Sequence, residues 1–299
     1  MRGFYGTDAQ KNYFEGFYFK QVSGLDTVAV IPALHAEGDG RRFASVQVIT
    51  DALSGFARIP IEQFEANEKR FAFRVGKCAF SETGIELNLR THALEASGRL
   101  VFGPLTRLKS PIMGPFEHIP FMQCRHRVVS MAHSVYGTLT VNGRRYTFDS
   151  APGYIEGDRG SSFPARYLWT HHASEKDALS LMLSVADIPF GLIPFTGVLC
   201  PILWEGKEYR LATYRGARLT VMGSNAVCVK QGAFSFTAEL LSENARLLRA
   251  PIRGKMERHI RESPSCKVRY TFKKGGATLF DITAPNASFE CEYPAFQLR

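Results

Sequence analysis

The sequence predicts an all-β protein made of antiparallel barrels or sandwiches. About twenty short segments alternate apolar and polar residues and recur at intervals of roughly 8–12 residues, with glycine, asparagine and aspartate between them. Aromatic residues make up 12% of the 299 residues, and 23 of them are phenylalanine. No window sustains a helical period beyond about ten residues, which excludes Rossmann and TIM-barrel architectures.

A hairpin is the most specific local prediction. The dipeptide Asn142-Gly143 lies between two alternating segments, and Asn-Gly favours a type I′ turn because both central residues need a positive φ. The resulting register pairs Leu139 with Tyr146 on one face and Thr140 with Arg145 on the other. Two further hairpins are predicted to turn at residues 205–207 and 274–276.

A proline-rich stretch is predicted to divide the chain. Residues 103–120 contain four prolines and two glycines and show little alternation. We therefore predict an N-terminal barrel over residues 1–110 and a C-terminal barrel over residues 111–299. Short helices are predicted only at residues 60–64 and 244–249, the latter stopped by the following proline.

The net charge and its distribution along the chain indicate which classes of partner the protein could bind. The net charge of +9 comes from 37 Lys and Arg against 28 Asp and Glu, and such an excess attracts nucleic acid, anionic lipid or acidic substrates. The densest basic patch, residues 246–261, has no aromatic residue for base stacking and is interleaved with acids. The sequence therefore predicts no nucleic-acid partner and leaves peripheral contact between the basic surface and a membrane open.

Three absences narrow the class of protein further. Residues 1–8 lack the apolar segment of a secretory signal, which predicts a cytoplasmic protein. The six cysteines form no CxxC pair, so we expect reduced thiols. The chain has neither a GxGxxG motif after a strand nor a P-loop, and we predict that it needs no cofactor.

The first candidate site segment is Tyr13–Lys20, which reads YFEGFYFK. On a strand, Tyr13, Glu15, Phe17 and Phe19 point to one side. A carboxyl group among aromatic rings loses hydration and holds its proton more tightly, as a general acid requires. The alternative is a structural Glu15 that binds a backbone amide or an arginine.

The second candidate segment is Gly153–Trp169, which holds two acids, two arginines and four aromatic residues within seventeen positions. Tyr154, Glu156 and Asp158 share a face if the strand persists. Carboxyl groups beside aromatic rings suit proton donation to an alkene, because the rings stabilise the resulting cation. The alternative is a network of acids and arginines that fixes a loop, and in either case we expect Arg159 or Arg166 to pair with Asp158 or Glu156.

The histidines predict no metal site. His171 and His172 point to opposite faces of a strand, and so do His126 and His133. A metal could be bound only if tertiary structure brought other ligands together. A GxSxG elbow is absent as well, so the acids remain the candidates for chemistry.

Together, the two segments resemble the signatures of the tocopherol cyclase family. Residues 13–20 resemble its YFEGWYFK motif, and residues 153–169 resemble GYxExxWGxxFPxxWxW. At two positions where the family motifs have tryptophan, this chain has Phe17 and Arg159. Shorter spans resemble the bacterial branch of the family at residues 110–116, 132–137, 212–217 and 256–263.

The resemblance implies a fold and an activity. The resemblance implies a fold of two consecutive lipocalin-like antiparallel barrels, which carotenoid hydratases and some Diels–Alderases share. Its plant members cyclise a prenylated hydroquinone by protonating an alkene, and the phenol oxygen captures the cation. The plant substrate is not carried over, because bacterial members occur where no tocopherol is expected.

The sequence thus predicts a cofactor-independent cyclase or hydratase that acts on a prenylated or similar apolar small molecule. The alternative function is that of a non-catalytic lipocalin-like protein that binds lipid or serves as a scaffold. The candidate acids are Asp158, Glu156 and Glu15. The candidate ligand-binding residues are Phe17, Tyr18, Tyr154, Tyr167 and Trp169.

Overall fold

The fold is nearly all strand. The computed structural model describes residues 3–67, 69–120, 122–189, 195–244 and 246–293. Strands account for 69% of these residues and short 3-10 helices for 4%, so the predicted all-β class is confirmed. The helical segments are Ile61–Gln63, Gly114–His118 and Thr213–Arg215. Within the described ranges, none of them has the length and apolar character of a membrane-spanning helix.

The first sheet has eleven antiparallel strands in the order β4-β3-β2-β1-β11-β10-β9-β8-β7-β6-β5. The two strands that carry the sequence motifs, β1 and β11, are therefore hydrogen-bonded neighbours at its centre. The strands are β1 (Tyr13–Ser23), β2 (Asp26–Ala36), β3 (Arg42–Thr50), β4 (Ser54–Pro60), β5 (Phe64–Ala66), β6 (Ala72–Val75), β7 (Cys78–Ser81), β8 (Gly84–Arg90), β9 (Glu95–Phe102), β10 (Cys124–Val141) and β11 (Arg144–Gly160).

The second sheet has ten strands. Nine follow the order β15-β14-β13-β12-β21-β20-β18-β17-β16, and β19 pairs with β20. The strands are β12 (Tyr167–Ser174), β13 (Leu179–Ile188), β14 (Phe195–Trp204), β15 (Lys207–Ala212), β16 (Arg218–Met222), β17 (Ala226–Gln231), β18 (Phe234–Ser242), β19 (Arg246–Ile252), β20 (Lys255–Lys274) and β21 (Ala277–Cys291). Two large antiparallel sheets, one of them nearly closed into a barrel, agree with the predicted architecture.

The predicted hairpins form where the turn residues lie. Strands β10 and β11 meet at Asn142 and Gly143, whose φ angles are 44° and 81°. Leu139 faces Tyr146, and Thr140 faces Arg145, as the turn type predicted. The turns at residues 205–206 and 275–276 also join consecutive strands. Residues 246–249, in contrast, belong to strand β19 and do not form the predicted short helix.

The chain forms two compact units, and each contains more than one segment. The first comprises Met1–Leu108, Cys124–Phe163 and Leu248–His259, and the second comprises Lys109–Gln123, Pro164–Leu247 and Ile260–Arg299. A division at residue 110 therefore does not separate the two sheets, because the β10–β11 hairpin pairs with β1 and β9 and completes the first sheet.

Each sheet encloses its own apolar core. In the first unit, Phe17 and Phe19 pack with Phe71, Phe73 and other buried rings. The core of the second unit is built around Tyr270 and Phe272 and includes Leu168 of β12. Because alternate residues of a strand point to opposite faces, the residues between these core positions form the other face of each sheet.

Candidate functional site

The two motifs meet, but their acids lie on different faces. In the antiparallel register of β1 and β11, Tyr18 is opposite Glu156 and Gly16 is opposite Asp158. Residues directly opposite one another project to the same face. Glu15 is opposite Arg159, so Glu15 lies on the face that contains Phe17 and the apolar core. The pairing therefore brings Tyr18 close to Glu156 and separates Glu15 from both other candidate acids.

A chain of five polar side chains runs across β11 and β10. The Tyr154 hydroxyl donates to Glu156 Oε2 at 2.6 Å. Nε2 of His126 lies 3.3 Å from the same oxygen, and Nδ1 of His126 lies 3.0 Å from Asp158 Oδ1. The Cys124 thiol reaches Asp158 Oδ1 at 3.5 Å. One imidazole ring thus bridges two carboxylates, and we call these five residues the His126 chain.

Within the His126 chain, burial increases from Asp158 through His126 to Glu156 and Tyr154. The side chain of Asp158 is 22% exposed, that of His126 is 11% exposed and that of Glu156 is 8% exposed. Tyr154 is fully buried. Of the two carboxylates in the chain, Asp158 is therefore the partly solvated one, and Glu156 is buried beside the Tyr154 phenol.

Neighbouring negative charges keep His126, at the centre of the chain, protonated. Burial alone would lower the pKa of His126, but the charges of Asp158 and Glu156, together with the hydrogen bond to Asp158, raise it to about 10. Burial and the charge of Glu156 raise the pKa of Tyr154, which stays a neutral donor. Burial and the charge of Asp158 raise the pKa of Cys124 in the same way. At neutral pH the chain therefore holds an imidazolium between two acidic side chains.

Three residues of the His126 chain are of the types that bind metal ions. One ligand atom each of His126, Glu156 and Asp158 lies within 4.8 Å of the other two. However, the raised pKa of His126 keeps both ring nitrogens protonated, and an ion would have to displace one of these protons. In the observed geometry, Nδ1 of His126 is hydrogen-bonded to Asp158, and Nε2 makes an ion-pair contact with Glu156. The prediction of a protein without a metal stays a prediction.

Glu15 is surrounded by donors. Its Oε2 accepts hydrogen bonds from the backbone nitrogens of Tyr5 and Gly6 at 2.7 and 3.1 Å and from the Tyr13 hydroxyl at 2.8 Å. Its Oε1 accepts from Arg127 at 3.0 Å. The side chain is fully buried. These contacts fasten the segment before β1 to the sheet, which agrees with the structural alternative proposed for Glu15.

Phe17 and Arg159, which replace the tryptophans of the family motifs, lie on the same face of the sheet as Glu15. Phe17 is fully buried among phenylalanine rings, and the guanidinium of Arg127 lies 4.3 Å from its centroid. Arg159 lies over the Tyr5 ring at 4.1 Å. Both residues therefore face away from Glu156 and Asp158, and Phe17 contributes to the core of the first unit.

The predicted pairing of Arg159 or Arg166 with Asp158 or Glu156 is wrong. Arg166 pairs with Asp187 at 2.8 Å, and strand alternation directs Arg159 to the face opposite Asp158. The cation that contacts both Asp158 and Glu156 is His126. Sequence alternation placed His126 on a strand but did not identify its neighbour.

The remaining candidates, Tyr167 and Trp169, lie on β12 in the second unit. The Tyr167 hydroxyl donates to Glu290 Oε2 at 2.7 Å, and Trp169 is opposite Glu290 on β21 and Ser184 on β13. Ser184 lines an apolar cavity of about 40 Å³, together with Met113, Phe116, Met122 and Leu199. Sequence reasoning missed Glu290, for which no local motif exists.

The sequence model of the tocopherol cyclase-like family matches residues 90–215. A protein named "Probable tocopherol cyclase, chloroplastic" in Oryza sativa subsp. japonica is 26% identical over 136 residues. That match covers 43% of this chain and only 29% of the rice protein. The matched family range contains His126, Glu156 and Asp158 and excludes Glu15.

Two solved structures share the fold. Kievitone hydratase from Nectria haematococca has a TM-score of 0.53 at 9% identity, over 97% of this chain and 93% of that chain. A proposed AttH protein from Nitrosomonas europaea has a TM-score of 0.52 at 10% identity, over 98% and 95% of the two chains. At these identities the likeness shows the fold alone. The family match over residues 90–215, which includes the second motif, and the rice relative confirm the resemblance to the tocopherol cyclase-like family.

Proposed function

We propose that this protein is an acid–base catalyst of the cyclase or hydratase type, which protonates an alkene of a prenylated or similar apolar small molecule. The observation that carries the proposal is the contact between Glu156 and the His126 imidazolium, 3.3 Å apart on a buried sheet face. The matches to a cyclase family and a rice cyclase support the reaction class.

The proton path follows from the contacts. His126 gives its Nε2 proton to Glu156 Oε2, which produces a neutral carboxyl group and a neutral imidazole. Glu156 then gives that proton to one alkene carbon, so that a C–H bond forms and the other carbon becomes cationic. A hydroxyl oxygen of the substrate, or of water, attacks the cation and releases its proton to the Glu156 carboxylate. Cyclisation is therefore an isomerisation, and hydration consumes one water.

The surroundings of Glu156 suit a cationic intermediate. Tyr18 and Tyr154 are buried on its face of the sheet, and aromatic rings stabilise a nearby cation electrostatically. Burial also keeps bulk water away, and water would otherwise intercept the cation. No step of the proposed reaction requires a redox change or a nucleotide.

Glu15 has a different role in this proposal. Four donors already occupy its carboxylate, and it lies on the face opposite Glu156. We assign Glu15 to folding and Glu156 to proton transfer. The two carboxylates therefore provide a matched pair for testing the proposal.

The test compares Glu156→Gln with Glu15→Gln in turnover of a prenylated hydroquinone, with products identified by mass spectrometry. We expect turnover to fall by at least about 100-fold in Glu156→Gln, the usual scale for loss of a general acid, while calorimetric affinity for the quinol stays within about threefold. Folded Glu15→Gln should keep its turnover. Equal turnover in Glu156→Gln and wild type would refute the acid, and binding without turnover in the wild type would indicate the non-catalytic lipid-binding function.

A further inference from the structure

The His126 chain has two carboxylates, and their surroundings differ. Oδ1 of Asp158 contacts both Nδ1 of His126 and the Cys124 thiol, and its side chain is 22% exposed. Glu156 is 8% exposed and contacts the Tyr154 phenol as well as His126. A single proton-transfer step needs only one of the two carboxylates.

We propose that Asp158 is a positioning residue, which holds Nδ1 of His126 so that Nε2 is directed at Glu156. The inference rests on the proposed function and assigns the two candidate acids to separate tasks. Asp158 itself gives no proton to the substrate.

The geometry of the imidazole carries this assignment. An imidazole can present either nitrogen to either neighbour, and only a fixed partner on one nitrogen determines which nitrogen faces the reacting group. Nδ1 of His126 is hydrogen-bonded to Asp158 Oδ1 at 3.0 Å, whereas Nε2 lies 3.3 Å from Glu156 Oε2 without hydrogen-bond geometry, so that Asp158 is the carboxylate that holds the ring. A base oriented by a third group is a recurrent arrangement in enzymes.

The local backbone supports the same arrangement. Gly16 is the β1 residue opposite Asp158, and a Cβ at Gly16 would lie 2.8 Å from the Cβ of Ala33 and 3.2 Å from the Pro32 carbonyl. Position 16 therefore adds no side chain beside Asp158. The contacts of the carboxylate come from β10, where Cys124 and His126 reach the same oxygen.

The test measures the His126 ring directly, in protein with ¹⁵N-labelled histidine. The ring signals are assigned with His126→Gln, and the apparent pKa of His126 is followed by NMR in wild type, Asp158→Asn and Asp158→Glu. We expect both ring nitrogens to be protonated at pH 8 in the wild type. We expect Asp158→Asn to lower this pKa by about 1–3 units, because an opposite charge at this distance has been removed, and Asp158→Glu to restore most of it.

Asp187→Asn is the matched control. Asp187 is 24% exposed, close to the 22% of Asp158, and it also contacts a cation, Arg166. In turnover assays with the prenylated hydroquinone, we expect Asp158→Asn to lower kcat at least tenfold and to leave KM within about twofold. Asp187→Asn should change neither kcat nor the His126 signals.

Two results would overturn the inference. One is a neutral His126 ring in the wild type at pH 8, which needs no variant to fold. The other is an Asp158→Asn protein whose His126 pKa equals that of the wild type. The NMR result does not depend on turnover, so a failure of the proposed acid chemistry, seen as full activity in Glu156→Gln, remains distinguishable from a failure of the positioning role.

Discussion

Glu15 and Glu156 lie on opposite faces of one pair of strands. Glu15 is opposite Arg159 and Glu156 is opposite Tyr18 in the same β1–β11 register. One carboxylate accepts four hydrogen bonds beside the core, and the other lies between the Tyr154 hydroxyl and the His126 imidazolium. Two residues that look equivalent in sequence therefore have different expected effects when they are changed.

Glu15→Gln should destabilise the protein. The amide cannot accept all four hydrogen bonds or neutralise Arg127, and loss of one partner of a buried ion pair costs about 3–5 kcal/mol. We expect a fall in Tm of roughly 5–15 °C by differential scanning calorimetry. Asp281→Asn is the control, because the Asp281–Arg269 pair is well exposed and solvent screens its attraction. Equal Tm losses in the two variants would contradict the structural role.

His126 should make stability depend on alkaline pH. Its folded-state pKa is about 10, against 6.5 for an ordinary histidine, so its contribution is complete below about pH 6.5 and is lost as the pH rises through 10. The difference in unfolding free energy between wild type and His126→Gln should therefore shrink from pH 6.5 to pH 10. Urea unfolding at several pH values measures it, and a constant difference over that range would show that His126 is not held as an imidazolium.

Metal removal should have no effect on the protein. Both nitrogens of His126 face carboxylates and are protonated at neutral pH, so an ion would have to displace a proton. We expect protein dialysed against EDTA to keep its Tm and its turnover, and elemental analysis to find far less than one metal per chain. A stoichiometric metal that disappears in His126→Gln would contradict this prediction.

Trp169→Ala should weaken binding of an apolar ligand. Trp169 is buried on the sheet face that carries Ser184 and Glu290, and its ring is a large apolar surface. The cavity of about 40 Å³ that Ser184 lines would have to widen to admit a quinol. We expect calorimetric affinity for a prenylated quinol to fall about tenfold, or roughly 1.4 kcal/mol. Trp204→Ala is the control, because Trp204 packs on Phe280 and Tyr209 in the core of that unit. The role of Trp169 is refuted if only the Trp204 variant loses affinity.

Local rules predicted much of this fold. The Asn142-Gly143 turn fixed the pairing of Leu139 with Tyr146, and period-two alternation placed Tyr154, Glu156 and Asp158 on one face. Both rules act over a few residues and need no tertiary information. In contrast, residues 246–249 of the predicted helix 244–249 belong to strand β19, because pairing with β20 stabilises an extended segment. A single segment does not reveal that pairing.

The partner of Asp158 could not be predicted in this way. An unbroken ladder counted back from the Asn142-Gly143 turn would put His126 opposite Arg159, on the wrong face. Three register shifts interrupt the β10–β11 ladder and bring His126 opposite Asp158. A shift of one residue moves a side chain to the other face, and bulges of this kind leave no clear mark in one sequence.

Deuterium transfer tests the central claim most directly. The wild-type protein is equilibrated in D₂O and given a prenylated hydroquinone, and the product is analysed by mass spectrometry after exchangeable deuterium has been washed out. If Glu156 protonates the alkene, the product carries one carbon-bound deuterium at the former alkene position, and Glu156→Gln yields almost none of it. A cyclised or hydrated product without carbon-bound deuterium, or an equal yield of deuterated product from Glu156→Gln, would contradict the account.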